Sequence, residues 1–134
     1  MEIGMQGTCS YVVKESDLAS CVALSTEDSF PKVLATSRVI ALMEIAAARL
    51  MRQLLQPGQL SVGVSIDIKH FAPTPDGEEV ESLAKFIGLE GKIYLFEVEV
   101  SDKAGKVAAG KHTRAIVDRA RLEDGARARM ATSR

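Results

Sequence analysis

Two cysteines in 134 residues are too few for a disulfide scaffold, and Cys9 and Cys21 lack the spacing of metal ligands. They are expected to be reduced, behaving as small apolar residues of a strand or core. Neither sign of charge dominates. Charged residues make up 26% of the chain and the net charge is −1, which points away from nucleic acid or an anionic membrane as the main partner. The opening MEIGMQGTCS has no basic flank and no long apolar stretch, so no signal peptide is expected. The most apolar run, residues 38–55, is interrupted by Glu44, Arg49 and Arg52 and is unsuited to a bilayer. Internal repeats and low-complexity tracts are lacking too. What remains is one domain, large enough to bury a real core and expected in the cytoplasm.

That apolar run reads RVIALMEIAAARLMRQLL, with 13 of its 18 positions apolar. At about 100° per residue Arg38, Arg49, Arg52 and Gln53 gather into a solvent-facing stripe of a helix. Glu44 lies roughly 120° from the centre of that stripe, among Val39, Ile40, Ile45, Ala48 and Met51. A carboxylate on an apolar face costs several kcal/mol unless it is paired or protonated. Either Glu44 reaches past a thin edge of the core to an arginine, or it belongs to a functional site. Thr36 and Ser37 are N-cap candidates, and Gln56-Pro57-Gly58 stops the helix.

The remainder alternates with period two. Residues 5–14 suggest a first strand, 21–24 a candidate second one, and 25–31 a loop. After Gly58, Val62, Val64, Ile66 and Ile68 share one strand face, and His70 ends it. A turn at 72–77 leads to three more strands, 78–89, 92–101 and 106–117, joined by hairpins at Glu90-Gly91 and at 102–105. The order predicts an α+β, hot-dog architecture: a curved antiparallel sheet wrapped around one long central helix. Its uncovered edge and helix flank imply a homodimer, with a tetramer as the larger alternative. The domain is expected over residues 1–118, followed by a basic, fraying tail at 119–134.

Only two histidines exist, His70 and His112. A lone histidine on an apolar face is commonly a satisfied core residue. Yet the face ending in His70 is expected to pack on the helix carrying Glu44, and a carboxylate beside an imidazole is an acid–base pair. Read alone, Thr36 is a cap worth about 1 kcal/mol, Gly63 a bulge or close-packing site, and Arg114 and Lys111 surface charges.

Three stretches together, FPKVLATSRVIALME (residues 30–44), GVSIDIKHFAPTPDG (63–77) and GKHTRA (110–115), resemble the fluoroacetyl-CoA thioesterase branch of the hot-dog thioesterases. The resemblance covers about residues 30–117. It implies Thr36, Glu44 and His70 as catalytic residues, with Phe30, Gly63 and Arg114 at the substrate and Arg114 near its coenzyme A end. Glu44 would attack the thioester carbonyl or activate water, His70 would move protons, and Thr36 would donate a hydrogen bond. Thr36 and Glu44 are eight residues apart, about 12 Å of helical rise, so either Thr36 precedes the helix and folds back, or the substrate or a partner subunit bridges them; a site at a dimer interface is expected. The substrate is expected to be a short or small acyl-CoA ester, with coenzyme A as part of it and no metal or other cofactor. His112 is given a structural role. Glu27 stands where the family has a second phenylalanine, which argues against carrying over fluoroacetyl specificity. A non-catalytic acyl-CoA binding or sensing module is the alternative. A hydratase is disfavoured because Asp67 falls on the strand face opposite His70.

Overall fold

The computed structural model describes residues 1–132. The stretches of period two form five strands, β1 (Gln6–Val12), β2 (Gln59–His70), β3 (Glu79–Glu90), β4 (Ile93–Asp102) and β5 (Gly105–Asp118), and the apolar run forms α1 (Thr36–Met51). The strands pair antiparallel in one sheet of order β1-β3-β4-β5-β2. The sheet curls around α1, as the element order predicts. The core lies between them, with Val39, Met43, Ala46, Ala47 and Met51 of α1 against Val80, Ala84, Phe86, Phe96, Val98 and Val100, all buried. Gly7 lets β1 approach closely, because a Cβ there would collide with the carbonyl oxygen of Ala46 and the Cβ of Leu50. The buried Ser82 hydroxyl donates to the Leu42 carbonyl at 2.7 Å, tying β3 to the middle of the helix.

Five local expectations are corrected. The helix ends at Met51 and tightens into a 3-10 turn, Arg52–Leu54. Its N-cap is Ala35 with no side-chain cap, so Thr36 and Ser37 are helical residues and neither is the cap. Residues 21–24 form no strand, since Ala19–Val22 is a 3-10 turn. Its backbone bonds run locally and to the following loop, from Cys21 N to Leu18 O and from Ser20 N to Pro31 O. The segment expected to fray begins as a second helix, α2 (Arg119–Thr132), with none of its residues buried. Asp118 starts it by accepting the Arg121 N–H at 3.0 Å, an N-cap. The end of that segment, residues 133–134, lies outside the described residues.

The fifth correction concerns β2. Its register with β5 slips between Gly63 and Ser65, a bulge that flips the alternation of faces. Ile66, Ile68 and His70 face the helix, and so does Gly63 on the other side of the slip. Val62 and Val64 leave that face, and Val64 is 56% exposed. None of the twelve residues of β2 is buried. It is an edge strand, paired with β5 on one side and with no strand of the described residues on the other.

Candidate active site

The start of α1 is anchored by a buried carboxylate. Asp17 is 1% exposed and accepts hydrogen bonds from the Tyr11 hydroxyl at 2.6 Å, the Lys14 N–H at 2.8 Å and Arg38 Nε at 2.8 Å. Its carbonyl accepts the Ala35 N–H at 3.0 Å, which fixes the backbone just before Thr36. Burial pushes the Asp17 carboxyl up, but the bonds from Tyr11 and Lys14 and the charge of Arg38 outweigh it and hold the group below its ordinary value.

From this anchored turn the Thr36 hydroxyl meets His70 Nδ1 at 2.8 Å. The other ring nitrogen, Nε2, is buried and has no hydrogen-bond partner among the described residues. Such an orphan costs about 1–3 kcal/mol and calls for an explanation. Phe30, 51% exposed, lines a shallow groove with Val22, Ala35 and Thr36.

Glu44 lies two turns further along α1, on a flank the sheet leaves open. Its side chain is 42% exposed, beside Ile40, Ala41 and Ala48, which are only partly covered. The expected apolar face is therefore half-solvated at this point. The paired alternative holds in an unexpected form: Glu44 Oε2 accepts from Arg114 Nη1 at 3.1 Å, and it is the arginine that is buried, at 6% side-chain exposure. Arg114 also gives Nε to Ser61 Oγ at 3.0 Å and Nη2 to the Ser61 carbonyl at 2.9 Å. Burial lowers its pKa against the pull of Glu44. A guanidinium so occupied is not the surface charge that Arg114 is when read alone, and that expectation is corrected. Lys111 stays on the outer face, paired in register with Asp67 and Glu97.

Gly63 closes this end. A Cβ there would stand 2.5 Å from Glu44 Oε2 and 3.3 Å from His112 Cε1, so the carboxylate packs directly on the strand backbone. Glu44, Gly63, Val64, Ser65, Ile66 and His112 line a cleft of about 230 Å³. His112, 2% exposed, belongs to this cluster through Arg114. Its place was legible in principle, because His112 and Arg114 are two apart on one strand and share a face.

The chain thus brings Thr36 and His70 together and sets Glu44 with Gly63 and Arg114. Seven residues of β2 separate Gly63 from His70, roughly 20 Å of strand. Within one chain these are two separate groups of side chains. Among the described residues no three His, Cys, Asp or Glu side chains gather in a way that could hold a metal ion, and no helix is long and apolar enough to cross a membrane.

A curled antiparallel sheet around one long helix, with polar chemistry at the open helix flank, is the hot-dog fold of the thioesterase superfamily. More narrowly, the model of the fluoroacetyl-CoA-specific thioesterase family matches residues 13–120, and the chain belongs to that family. Over 88 residues it is 36% identical to the fluoroacetyl-CoA thioesterase of Streptantibioticus cattleyicolor. That stretch is 66% of this chain and 63% of the relative, so the match spans less than two thirds of the relative's length. A threonine-to-serine variant of FlK solved with acetyl-CoA superposes with a TM-score of 0.90 at 30% identity, over 96% of this chain and 98% of that one. A thioesterase-superfamily protein of Thermus thermophilus shares the fold at a TM-score of 0.83 and 21% identity, over 94% and 90% of the two chains.

Proposed function

We propose that the chain is an acyl-CoA thioesterase that hydrolyses a short or small acyl thioester, with Glu44, His70 and Thr36 as catalytic residues of a site shared across a homodimer. The observation that carries this reading is the Thr36–His70 pair, with one imidazole nitrogen held at 2.8 Å and the other left without a partner. An imidazole oriented on one side and open on the other suits proton transfer. Thr36 then donates to Nδ1, and the ring carries its proton on Nε2.

The carboxylate comes from the second copy. β2 is an unpaired edge, and two copies of it can pair antiparallel about a two-fold axis. An axis crossing β2 near Ile66 and Asp67, midway between Gly63 and His70, sets Gly63 of one chain beside His70 of the partner subunit. Glu44 packs on Gly63 and travels with it. The same pairing covers exposed Val64 and Phe71 and the open flank of α1.

The Arg114 bond holds Oε2 of Glu44, leaving Oε1 for chemistry. Glu44 either attacks the thioester carbon, expelling coenzyme A thiolate and forming an anhydride that water cleaves, or takes a proton from the attacking water. His70 Nε2–H donates a hydrogen bond to the departing sulfur, and the thiolate takes its proton from the attacking water, through Glu44 in the second route and on cleavage of the anhydride in the first. The cleft beside Glu44, about 230 Å³, matches an acyl group of few atoms. Exposed Glu27, in place of the family's second phenylalanine, leaves fluoroacetyl selectivity out of this proposal.

A thiol-release assay over a panel of acyl-CoA esters tests it, with Glu44→Gln and His70→Ala as controls. Release that drops at least about 100-fold in both variants is expected. Turnover unchanged by Glu44→Gln would sink the mechanism. Binding of esters without release would favour a binding module. Single turnover in oxygen-18 water separates the two chemistries, because only the anhydride route leaves label in Glu44.

A further inference from the structure

Behind Gly63 lies a set of hydrogen bonds that the hydrolysis itself does not use. His112 and Arg114 project from the same face of β5 and are both buried. His112 Nδ1 lies 2.8 Å from the Ser65 carbonyl. A carbonyl only accepts, so Nδ1 carries the proton and Nε2 is a bare acceptor. That acceptor stands 3.1 Å from Arg114 Nη1, the same nitrogen that donates to Glu44 Oε2 at 3.1 Å. The other bonds of the guanidinium go to Ser61. Of the groups holding Arg114 in place, His112 is the one whose charge changes near neutrality.

We propose that His112 is a positioning residue for Glu44, acting through Arg114, and that the site keeps its working geometry only while the imidazole is neutral. The inference rests on the thioesterase reading and extends it to the control of that site. Protonated, His112 would turn an N–H toward the N–H of Arg114 across 3.1 Å and set two cations in contact. Arg114 must then withdraw, and Glu44 loses its anchor. Around this pair Glu44 comes from α1, the Ser65 carbonyl from β2, and Phe96 and Tyr94 lie opposite His112 and Arg114 on β4. Glu44 is the single anion among them. Burial, with the Arg114 charge added, keeps the imidazole below its ordinary value against the opposing Ser65 bond and Glu44. Neutral His112 is thus the resting form, and acidification releases the clamp.

Two substitutions separate positioning from packing. His112→Phe fills the space without an acceptor, while His112→Gln keeps an acceptor that does not titrate. His112→Phe is expected to lower kcat about 10- to 100-fold with KM within about three-fold, as a misplaced catalytic group does. His112→Gln should recover kcat to within about five-fold and lose the acid-side inflection that belongs to His112. In parallel, NMR of the wild-type protein follows the ring signals of its two histidines and the Nε signal of Arg114 against pH. The Arg114 signal should move with the midpoint of His112, below about 6.5. Wild-type kcat in His112→Phe, or an Arg114 signal indifferent to the His112 titration, would overturn the proposal. The NMR readout needs no turnover, so a chain that hydrolyses no ester would refute the thioesterase reading while the coupling of His112 to Arg114 is still decided.

Discussion

A methyl group on residue 63 would sit 2.5 Å from Glu44 Oε2, and something has to move. The carboxylate is the end of a flexible side chain, 42% exposed, so it yields at little cost to the fold. Gly63→Ala is therefore expected to keep a thermal midpoint within a few degrees of wild type, yet to lower kcat about 10- to 100-fold by lifting Glu44 off Arg114. A large loss of stability with normal kcat in the folded fraction would contradict this. Glu44 could be singled out from sequence because periodicity alone exposes a charge on an apolar helix face. Its partner could not. The pairing with Arg114 crosses 70 residues of chain, and its strength depends on a desolvation that no local pattern reports.

Among elements, the first turn of α1 depends on Asp17. The Asp17 carboxyl is held below its ordinary value of 3.8, so the folded state binds its proton less readily than the unfolded chain does. The stability it contributes is full above about pH 4 and fades as the pH falls through the folded value. Asp17→Asn should lower unfolding free energy at pH 7 by about 1.5–3 kcal/mol, the range for hydrogen bonds to a charged group. Urea titrations should find that gap smaller at pH 3; an equal gap at both pH values would show that the charge is irrelevant. Elements governed by a clean period were legible in advance: α1 from its apolar stripe, and β3, β4 and β5 from alternation broken at Gly91 and Gly105. Where local hydrogen bonding decided the outcome, they were not. The 3-10 turn at Ala19–Val22 closes on loop carbonyls, and α2 follows from a cap by Asp118 together with many helix-favouring Ala and Arg residues.

For the whole molecule, the site proposed to be shared across a homodimer makes activity a property of pairs. Glu44→Gln and His70→Ala each spoil both sites of their own homodimer. In a mixed dimer the wild-type Glu44 of one chain meets the wild-type His70 of the other, and one of two sites is whole. Random mixing makes half the dimers mixed, so recombining the two inactive variants should restore about a quarter of wild-type activity. No recovery after mixing, with dimers proven by sedimentation, would place the site within one chain. That Thr36 and Glu44 are too distant for direct contact was evident from helical rise. That His70 stands with Thr36 and apart from Glu44 needed the sheet.

The slip in β2 has an arithmetical side. Gly63 and His70 are an odd number of residues apart, and in an unbroken strand an odd separation means opposite faces. Both nevertheless point at α1, so a surplus residue between them is obligatory and works as a phase correction. Any chain that keeps this glycine and this histidine seven apart, both aimed inward, announces the same irregularity in its numbering. One that deletes the surplus at Val64 leaves the two six apart, an even separation, and a regular strand then carries both on the working side without a bulge.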